Sequence, residues 1–152
     1  MSDLRRFEAH HPVDIDRAVE ELQAGRKRTH WMWFVFPQLR VLGRSVTAIH
    51  YGIESPDEAV EYLRHPVLGA DYRRAVEAVV EQVVRQDVTI ARLMGAPDDL
   101  KLVSSLTLFG GVAARLGSPE GEELATMCEQ VLAAAAAQGL PRCVVTTSAL
   151  AS

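Results

Sequence analysis

The sequence of 152 residues has little cysteine and no long apolar run. Its two cysteines, Cys128 and Cys143, have no second thiol near either of them, which argues against a disulfide framework and against a zinc site. The apolar runs are far shorter than the ~20 residues that cross a bilayer, so no membrane-spanning helix is predicted. The first residues are charged and lack the apolar segment of a secretion signal. We therefore expect a cytoplasmic protein with reduced thiols.

The sequence also lacks an excess of cations and the common cofactor motifs. Lysine and arginine number 16 and aspartate and glutamate 20, which gives a net charge of −4 and argues against nucleic acid as a partner. There is no Gly-rich phosphate loop, no HExxH string, no EF-hand loop and no nucleophile elbow. We predict no cofactor and no bound metal, and we expect any ligand to be a small molecule.

The spacing of apolar residues and the capping residues predict three helices with clear start or end signals. Between Asp14 and Gly25 they recur every three or four positions, as in an amphipathic helix that Asp14 caps and Gly25 ends. Residues 55–58 read Ser-Pro-Asp-Glu, which predicts a helix start with a reciprocal capping box. A second serine–proline pair at 118–119 predicts a last helix, which Gly139 ends.

The middle of the chain is also predicted to be helical. Ser45 opens a short helix, and residues 69–85 form a long amphipathic helix. Asp87 is predicted to cap a short helix, and another begins at residues 96–99. The glycine pair at 110–111 either kinks or ends that helix.

Together these segments predict a mainly α protein, a compact orthogonal bundle of six or seven helices without internal repeats. We expect a single globular domain over residues 1–152. Its core is expected at about 7–140, and the tail at 141–152 is weakly specified.

The most chemically concentrated segment lies at residues 26–40, where both tryptophans and two of the four phenylalanines stand between cations. Its period fits a short buried helix or a buried strand, and we favour the helix. Such a segment either forms part of the core or lines a pocket for a planar or phosphate-bearing ligand.

Aromatic and cationic residues of this region form the first part of a predicted ligand site. Trp31 and Trp33 offer flat faces on which a base can stack. Arg40 and Arg44 lead into a helix start at Ser45, an arrangement suited to holding a phosphate through two guanidinium groups and free amides.

Polar residues complete the predicted site. His30 and Gln38 are the candidates for a catalytic group, because a histidine in an apolar cleft carries a proton and an amide orients a reacting group. Lys101, Ser104 and Ser105 bring a cation and two hydroxyls to an apolar element, either for a ligand or simply bonded to helix carbonyls. The predicted ligand-binding set is Trp31, Trp33, Arg40, Arg44, Tyr51, Lys101, Ser104 and Ser105.

The other polar residues are interpreted as structural. His10, His11 and His50 are interpreted as ordinary residues of the N-terminal segment and of the short helix. Residues 26–28 are interpreted as a solvated cation cluster, favoured by the dipole of the preceding helix. The aspartates at 98–99 are interpreted as helix caps.

Several strings of this sequence resemble the bacterial family known as domain of unknown function 1810. They read GRKRTHWMWFVFPQL at residues 25–39, HPVLG at 65–69 and KL followed by SSLTLF within 101–109. The resemblance implies a compact, mainly helical domain without an established activity, and some members carry the label calpastatin. The order of elements is also similar to the NADAR group, helical hydrolases of N-glycosidic bonds in ADP-ribose-type compounds.

Two functional hypotheses follow. In the first, the chain has an aromatic, cationic pocket that binds or hydrolyses a nucleotide or ADP-ribose-type compound. In the second, the aromatic segment is purely core, and the outer faces of the helices at 56–64 or 69–85 bind a protein partner. The second predicts that Trp31 and Trp33 are both fully buried. The oligomeric state stays open.

Overall fold

The protein is described by a computed structural model over residues 3–151, with the side chains of residues 11 and 12 left aside. Ten α-helices lie in this part of the chain, and six of them have seven or more residues, which confirms the mainly α class. They are α1 (Arg5–Glu8), α2 (His11–Gln23), α3 (Met32–Val35), α4 (Val46–His50), α5 (Pro56–Arg64), α6 (Pro66–Val80), α7 (Ile90–Met94), α8 (Asp98–Ala113), α9 (Pro119–Ala137) and α10 (Val144–Ala151). A π-helical turn, Glu81–Arg85, extends α6.

The three serine caps predicted from the sequence are confirmed. The Oγ atoms of Ser45, Ser55 and Ser118 accept hydrogen bonds from main-chain N–H groups three residues later, at 3.1, 3.3 and 3.1 Å. Each bond satisfies one of the orphan amides of a first helical turn. Gly25 follows α2 with φ of 87°, as a left-handed terminator requires. The aromatic segment forms the short helix α3, as favoured above.

Several predicted helix starts are wrong. Helix α2 begins at His11, before Asp14, because a proline as second helical residue loses no intrahelical bond. Helix α6 begins at Pro66 because the His65 Nδ1 atom accepts from two first-turn amides, each at 3.2 Å. Helix α7 is capped by Thr89, whose Oγ1 accepts from the Arg92 N–H at 3.2 Å, and not by Asp87.

The capping box at residues 55–58 forms only in half. Ser55 accepts from the Glu58 N–H as expected. The Glu58 carboxylate accepts instead from the Glu54 N–H at 3.0 Å and from Arg6 Nη2 at 2.6 Å. The side chains of Arg6 and Glu58 are 11% and 2% exposed, so this ion pair is buried. It joins α1 to the start of α5. The two residues are so far apart in sequence that no local pattern could predict this pair.

The glycine pair at 110–111 does not end α8, which continues to Ala113. A Cβ atom on Gly110 would lie 2.8 Å from the Cβ of Cys128 in α9, and one on Gly111 would lie 2.5 Å from Leu150 in α10. Both glycines therefore allow close helix packing and do not mark a break. The tail, which was expected to be weakly specified, forms α10 and packs on α8.

Helix α8 is the centre of the bundle. It packs against α5, α7, α9 and α10, and every residue from 102 to 109 is buried. Because residues 102–109 are buried on all sides, this part of α8 has no polar face, which explains why its apolar residues show no clear period. No helix in residues 3–151 combines the length and the apolar character needed to cross a membrane.

An extended segment crosses one end of the bundle. Leu39 and Ile53 form an isolated parallel bridge, in which the Arg40 N–H donates to the Ile53 carbonyl at 2.7 Å and the Ile53 N–H to the Gln38 carbonyl at 2.8 Å. This bridge holds the residues after α3 against the residues after α4. It thereby fixes the distance between Gln38 and Tyr51.

Candidate functional site

A narrow cleft with a volume of about 10 Å³, room for about one water molecule, opens between α3, the end of α4 and the first turn of α8. We call this the aromatic cleft. Its walls are formed by Met32, Trp33, Phe36, Pro37, Gln38, Ala48, Tyr51, Gly52 and Lys101. Four of the residues predicted from the sequence meet there, since Trp33, Gln38, Tyr51 and Lys101 come from three separate segments.

Trp33 and Lys101 give the cleft its chemistry. The Lys101 Nζ lies 5.5 Å from the centroid of the Trp33 ring, in a cation–π arrangement. Its ion pair with Asp98 is loose, with 3.6 Å between Nζ and Oδ1. The indole Nε1 of Trp33 is buried and has no hydrogen-bond partner among residues 3–151. A buried N–H group without an acceptor costs about 1–3 kcal/mol, so this wall combines a weakly paired cation with an unused donor.

Trp31 lies in the core and does not line the cleft. Its side chain is fully buried, and its Nε1–H donates to Glu21 Oε1 at 3.0 Å. The same carboxylate accepts from the Arg28 and Thr29 N–H groups at 2.5 and 2.9 Å and from the Thr29 hydroxyl. Partial burial raises the pKa of Glu21, but these hydrogen bonds outweigh it and lower the pKa to about 2.

The lowered pKa of Glu21 predicts that the stability of the protein depends on pH. The folded pKa of Glu21, about 2, lies below its ordinary value of 4.5, so its contribution is complete above 4.5 and is lost as the pH falls toward 2. We expect Glu21→Gln to lower the free energy of unfolding by about 1 kcal/mol near neutral pH. Urea unfolding at pH values from 4.5 down to about 2 should show the free energies of unfolding of Glu21→Gln and the wild type converging as the pH falls. Glu20→Gln, on the exposed face of α2, should match the wild type at every pH, and parallel curves for Glu21→Gln would contradict the prediction.

The interpretation of residues 26–28 as a solvated cluster is wrong for Lys27. Its side chain is only 7% exposed, and its Nζ lies 2.9 Å from Asp98 Oδ2 and 5.1 Å from the Trp31 ring centroid. Asp98, in the first turn of α8, therefore forms ion pairs with two lysines. It stands between Lys27 and the cleft cation Lys101.

The remaining predicted residues are not brought into the cleft. His30 and Arg44 are exposed. Arg40 is half-buried behind the cleft wall, where its Nη2 donates to the Gly52 carbonyl at 3.5 Å. The Ser104 Oγ donates to the Leu100 carbonyl at 3.1 Å, and Ser105 shares a 2.8 Å hydrogen bond with the Tyr72 hydroxyl. Both serines are thus engaged within the bundle.

A polar chain that the sequence reasoning missed reaches the cleft from its outer side. His10 Nδ1 lies 3.2 Å from Asp14 Oδ2, and His10 Nε2 lies 2.9 Å from the Tyr51 hydroxyl. The His10 ring is stacked on Phe34, with ring centres 3.8 Å apart and planes at 5°. The only signal in the sequence is the four-residue spacing of His10 and Asp14, which places both on one helix face. The side chain of His11 lies outside the described part of the chain.

Comparisons with known proteins identify a family and a solved structure that resemble this chain. Residues 1–137 match the family described as "Protein of unknown function (DUF1810)". The crystal structure of the conserved hypothetical protein Rv1873 from Mycobacterium tuberculosis is similar, with 44% sequence identity and a TM-score of 0.76. The similarity covers 99% of this chain and 97% of that one. No curated protein matches.

Proposed function

This chain belongs to the DUF1810 family of proteins of unknown function, and we propose that it binds a small planar anion in the aromatic cleft. The observation that carries the proposal is the pairing of Lys101 with the face of Trp33 in a concave apolar wall. Small-molecule sites are typically concave and mostly apolar, with a few polar groups that fix the orientation of the ligand.

The burial of the two tryptophans supports a pocket over a purely structural aromatic segment. Trp31 is fully buried, but Trp33 keeps part of its surface open. If the segment served only the core, both rings would be expected inside.

The cleft favours a ligand with one flat ring system and one anionic group. Among the described residues that form its walls, Lys101 alone carries a formal charge, and Gln38 and Tyr51 add polar groups. The cleft's volume of about 10 Å³ is far below the ~300–1,000 Å³ typical of sites for drug-sized ligands, so a ligand binds at the mouth of the cleft or after its walls move apart. A nucleotide-derived compound, or a heterocyclic carboxylate or phosphate, meets these demands when its ring lies against the exposed part of Trp33 and its anionic group lies beside Lys101. Arg40 and Arg44 are not part of the proposed anion site.

Lys101→Met is expected to weaken ligand binding at least about tenfold, which corresponds to 1.4 kcal/mol. The substitution keeps the length and the apolar contact of the side chain while removing its charge. The fold should persist, because Asp98 retains Lys27 at 2.9 Å. The measurement is a thermal-shift screen with adenosine monophosphate, ADP-ribose, NAD and sugar phosphates, followed by titration of tryptophan fluorescence.

Arg44→Gln is the matched control, since it removes an exposed cation outside the cleft. It should bind as the wild type does. Equal losses in Arg44→Gln and Lys101→Met would indicate a nonspecific effect of charge. The absence of any shift with all these compounds at millimolar concentration would contradict the proposal.

A further inference from the structure

Tyr51 belongs to two features of the structure at the same time. It forms part of the wall of the aromatic cleft, and its hydroxyl lies 2.9 Å from His10 Nε2. On the other side of the imidazole, Nδ1 lies 3.2 Å from Asp14 Oδ2. A carboxylate, an imidazole and a phenol thus stand in series, and the phenol belongs to a residue of the cleft wall. We call these three residues the relay.

The order of the three groups fixes which way protons are shared. A carboxylate only accepts hydrogen bonds, so Asp14 holds the proton of a neutral His10 on Nδ1. Nε2 then carries a lone pair, and the Tyr51 O–H donates to it. The oxygen of Tyr51 keeps its own lone pairs for another donor. A nucleophile or acid–base group joined to a histidine that a third group orients is the recurrent arrangement of general-base catalysis.

The surrounding residues hold the relay in place. The His10 ring lies parallel to Phe34 at 3.8 Å, and the Tyr51 ring meets Phe34 edge-on, with centres 4.8 Å apart and planes at 88°. The second carboxylate oxygen of Asp14 faces Arg17, at 3.9 Å. Each ring therefore has packing partners that restrict its rotation, as a preorganised site requires.

We propose that the relay makes the aromatic cleft a site of general acid–base chemistry, with Tyr51 as the catalytic residue and His10 and Asp14 as positioning residues. The inference rests on the proposed function, because the ligand must occupy the cleft for Tyr51 to reach it. The substrate class is the same planar anion, now required to present an ionisable O–H group or to accept attack by a bound water.

The proton movements balance without a further reactant. The O–H bond of the ligand hydroxyl or water breaks as its proton moves to the Tyr51 oxygen. The proton of Tyr51 moves to His10 Nε2, and the resulting imidazolium is stabilised by the Asp14 carboxylate. The oxygen left behind attacks the electrophilic atom of the substrate, and the leaving group receives a proton back along the same path. Lys101 holds the anionic end throughout.

The relay is tested directly with N-acetylimidazole, a small acyl donor that modifies tyrosine hydroxyls. The Tyr51 oxygen forms the new bond to the acetyl carbon, the bond from that carbon to imidazole breaks, and the phenol proton passes through His10 to the departing imidazole. Tyr62 and Tyr72 are fully buried and serve as internal controls that stay unmodified in the folded protein. Mass spectrometry of the intact and digested protein gives the rate at each tyrosine.

We expect His10→Phe to slow acetylation of Tyr51 at least about tenfold, since general-base assistance is typically worth 10²–10⁴. Phenylalanine keeps the stack on Phe34 but has no proton acceptor. Asp14→Asn should slow the reaction about threefold or more, because the imidazole loses its orienting charge. Asp16→Asn removes a carboxylate from the same helix, where Asp16 pairs only with Arg74 among the described residues, and should leave the rate unchanged.

A spectroscopic measurement separates this role from mere support of the fold. Nitrogen-15 NMR of the side chain should find the proton of neutral His10 on Nδ1 in the wild type and distributed over both nitrogens in Asp14→Asn. An unchanged acetylation rate in both His10→Phe and Asp14→Asn, or a proton found on Nε2, would overturn the relay. Ligand titration of the wild type distinguishes the two proposals. If a ligand binds but His10→Phe and Asp14→Asn leave the acetylation rate unchanged, the relay is wrong and the cleft is a binding site alone. If no ligand binds although both substitutions slow acetylation, the function proposed for the cleft is wrong.

Discussion

Replacing Glu58 with alanine is expected to lower the free energy of unfolding by about 3–5 kcal/mol, the largest effect of any single change considered for this protein. The carboxylate is 2% exposed and lies 2.6 Å from Arg6 Nη2. Its removal leaves the Arg6 guanidinium buried without a counter-charge, and it leaves the Glu54 N–H without an acceptor. Urea unfolding followed by circular dichroism measures the loss.

Two further variants identify the cause. Glu61→Ala, on the same helix, removes a carboxylate without a hydrogen-bond or ion-pair partner among the described side chains and should stay within about 0.5 kcal/mol of the wild type. The double variant Arg6→Met with Glu58→Leu removes both charges and should recover part of the loss. The recovery is incomplete because Arg6 also donates to the Gly52 carbonyl at 2.9 Å. A double variant as unstable as Glu58→Ala would show that the buried charge is not the main cost.

Gly52→Ala is expected to destabilise the protein by about 1–3 kcal/mol, as overpacking of a tight contact does, and to impair the aromatic cleft. A Cβ atom at this position would lie 2.4 Å from the Arg40 Cα and 2.7 Å from its Cβ. Backbone must move to accept it, and the nearest element to yield is the bridge between Leu39 and Ile53. Opening this bridge separates Gln38 from Tyr51 and widens the cleft between them.

Gly43→Ala provides the comparison, at a glycine on the other side of α4. Its Cβ would meet no atom closer than 3.1 Å, and its φ of −69° suits any residue. We expect a loss well below that of Gly52→Ala. Thermal denaturation measures stability, and the fluorescence of Trp33 reports the cleft. Equal effects at the two glycines would contradict the role given to the close approach at Gly52.

The helices were predictable where their signals are local. A serine cap needs only an amide three residues away, so Ser45, Ser55 and Ser118 could be assigned from the sequence alone. The errors arose where another nearby group competed. Thr89 replaced Asp87 as a cap, and the His65 ring satisfied amides that the sequence pattern placed outside the helix.

The candidate site was predictable only in part, because a cleft depends on contacts between distant segments. Trp33 and Gln38 stood out through the density of aromatic residues around them. Whether Arg40 or Lys101 supplies the cation depends on how residues 37–40 cross the bundle, which no local spacing encodes. His10 was overlooked for the same reason, since its partner Tyr51 lies far away in sequence.

The burial of residues 102–109 of α8 on every side bears on how family membership is interpreted. The string at residues 101–109 lies within the part of the chain that matches the family, and of its residues Lys101 lines the aromatic cleft. From 102 to 109 each side chain is enclosed by neighbouring helices. Lack of space is sufficient to limit substitution at these positions, whatever the protein binds. Relatives that retain this string can therefore differ in ligand, and the residues to compare among them are those that surround Trp33 and Tyr51.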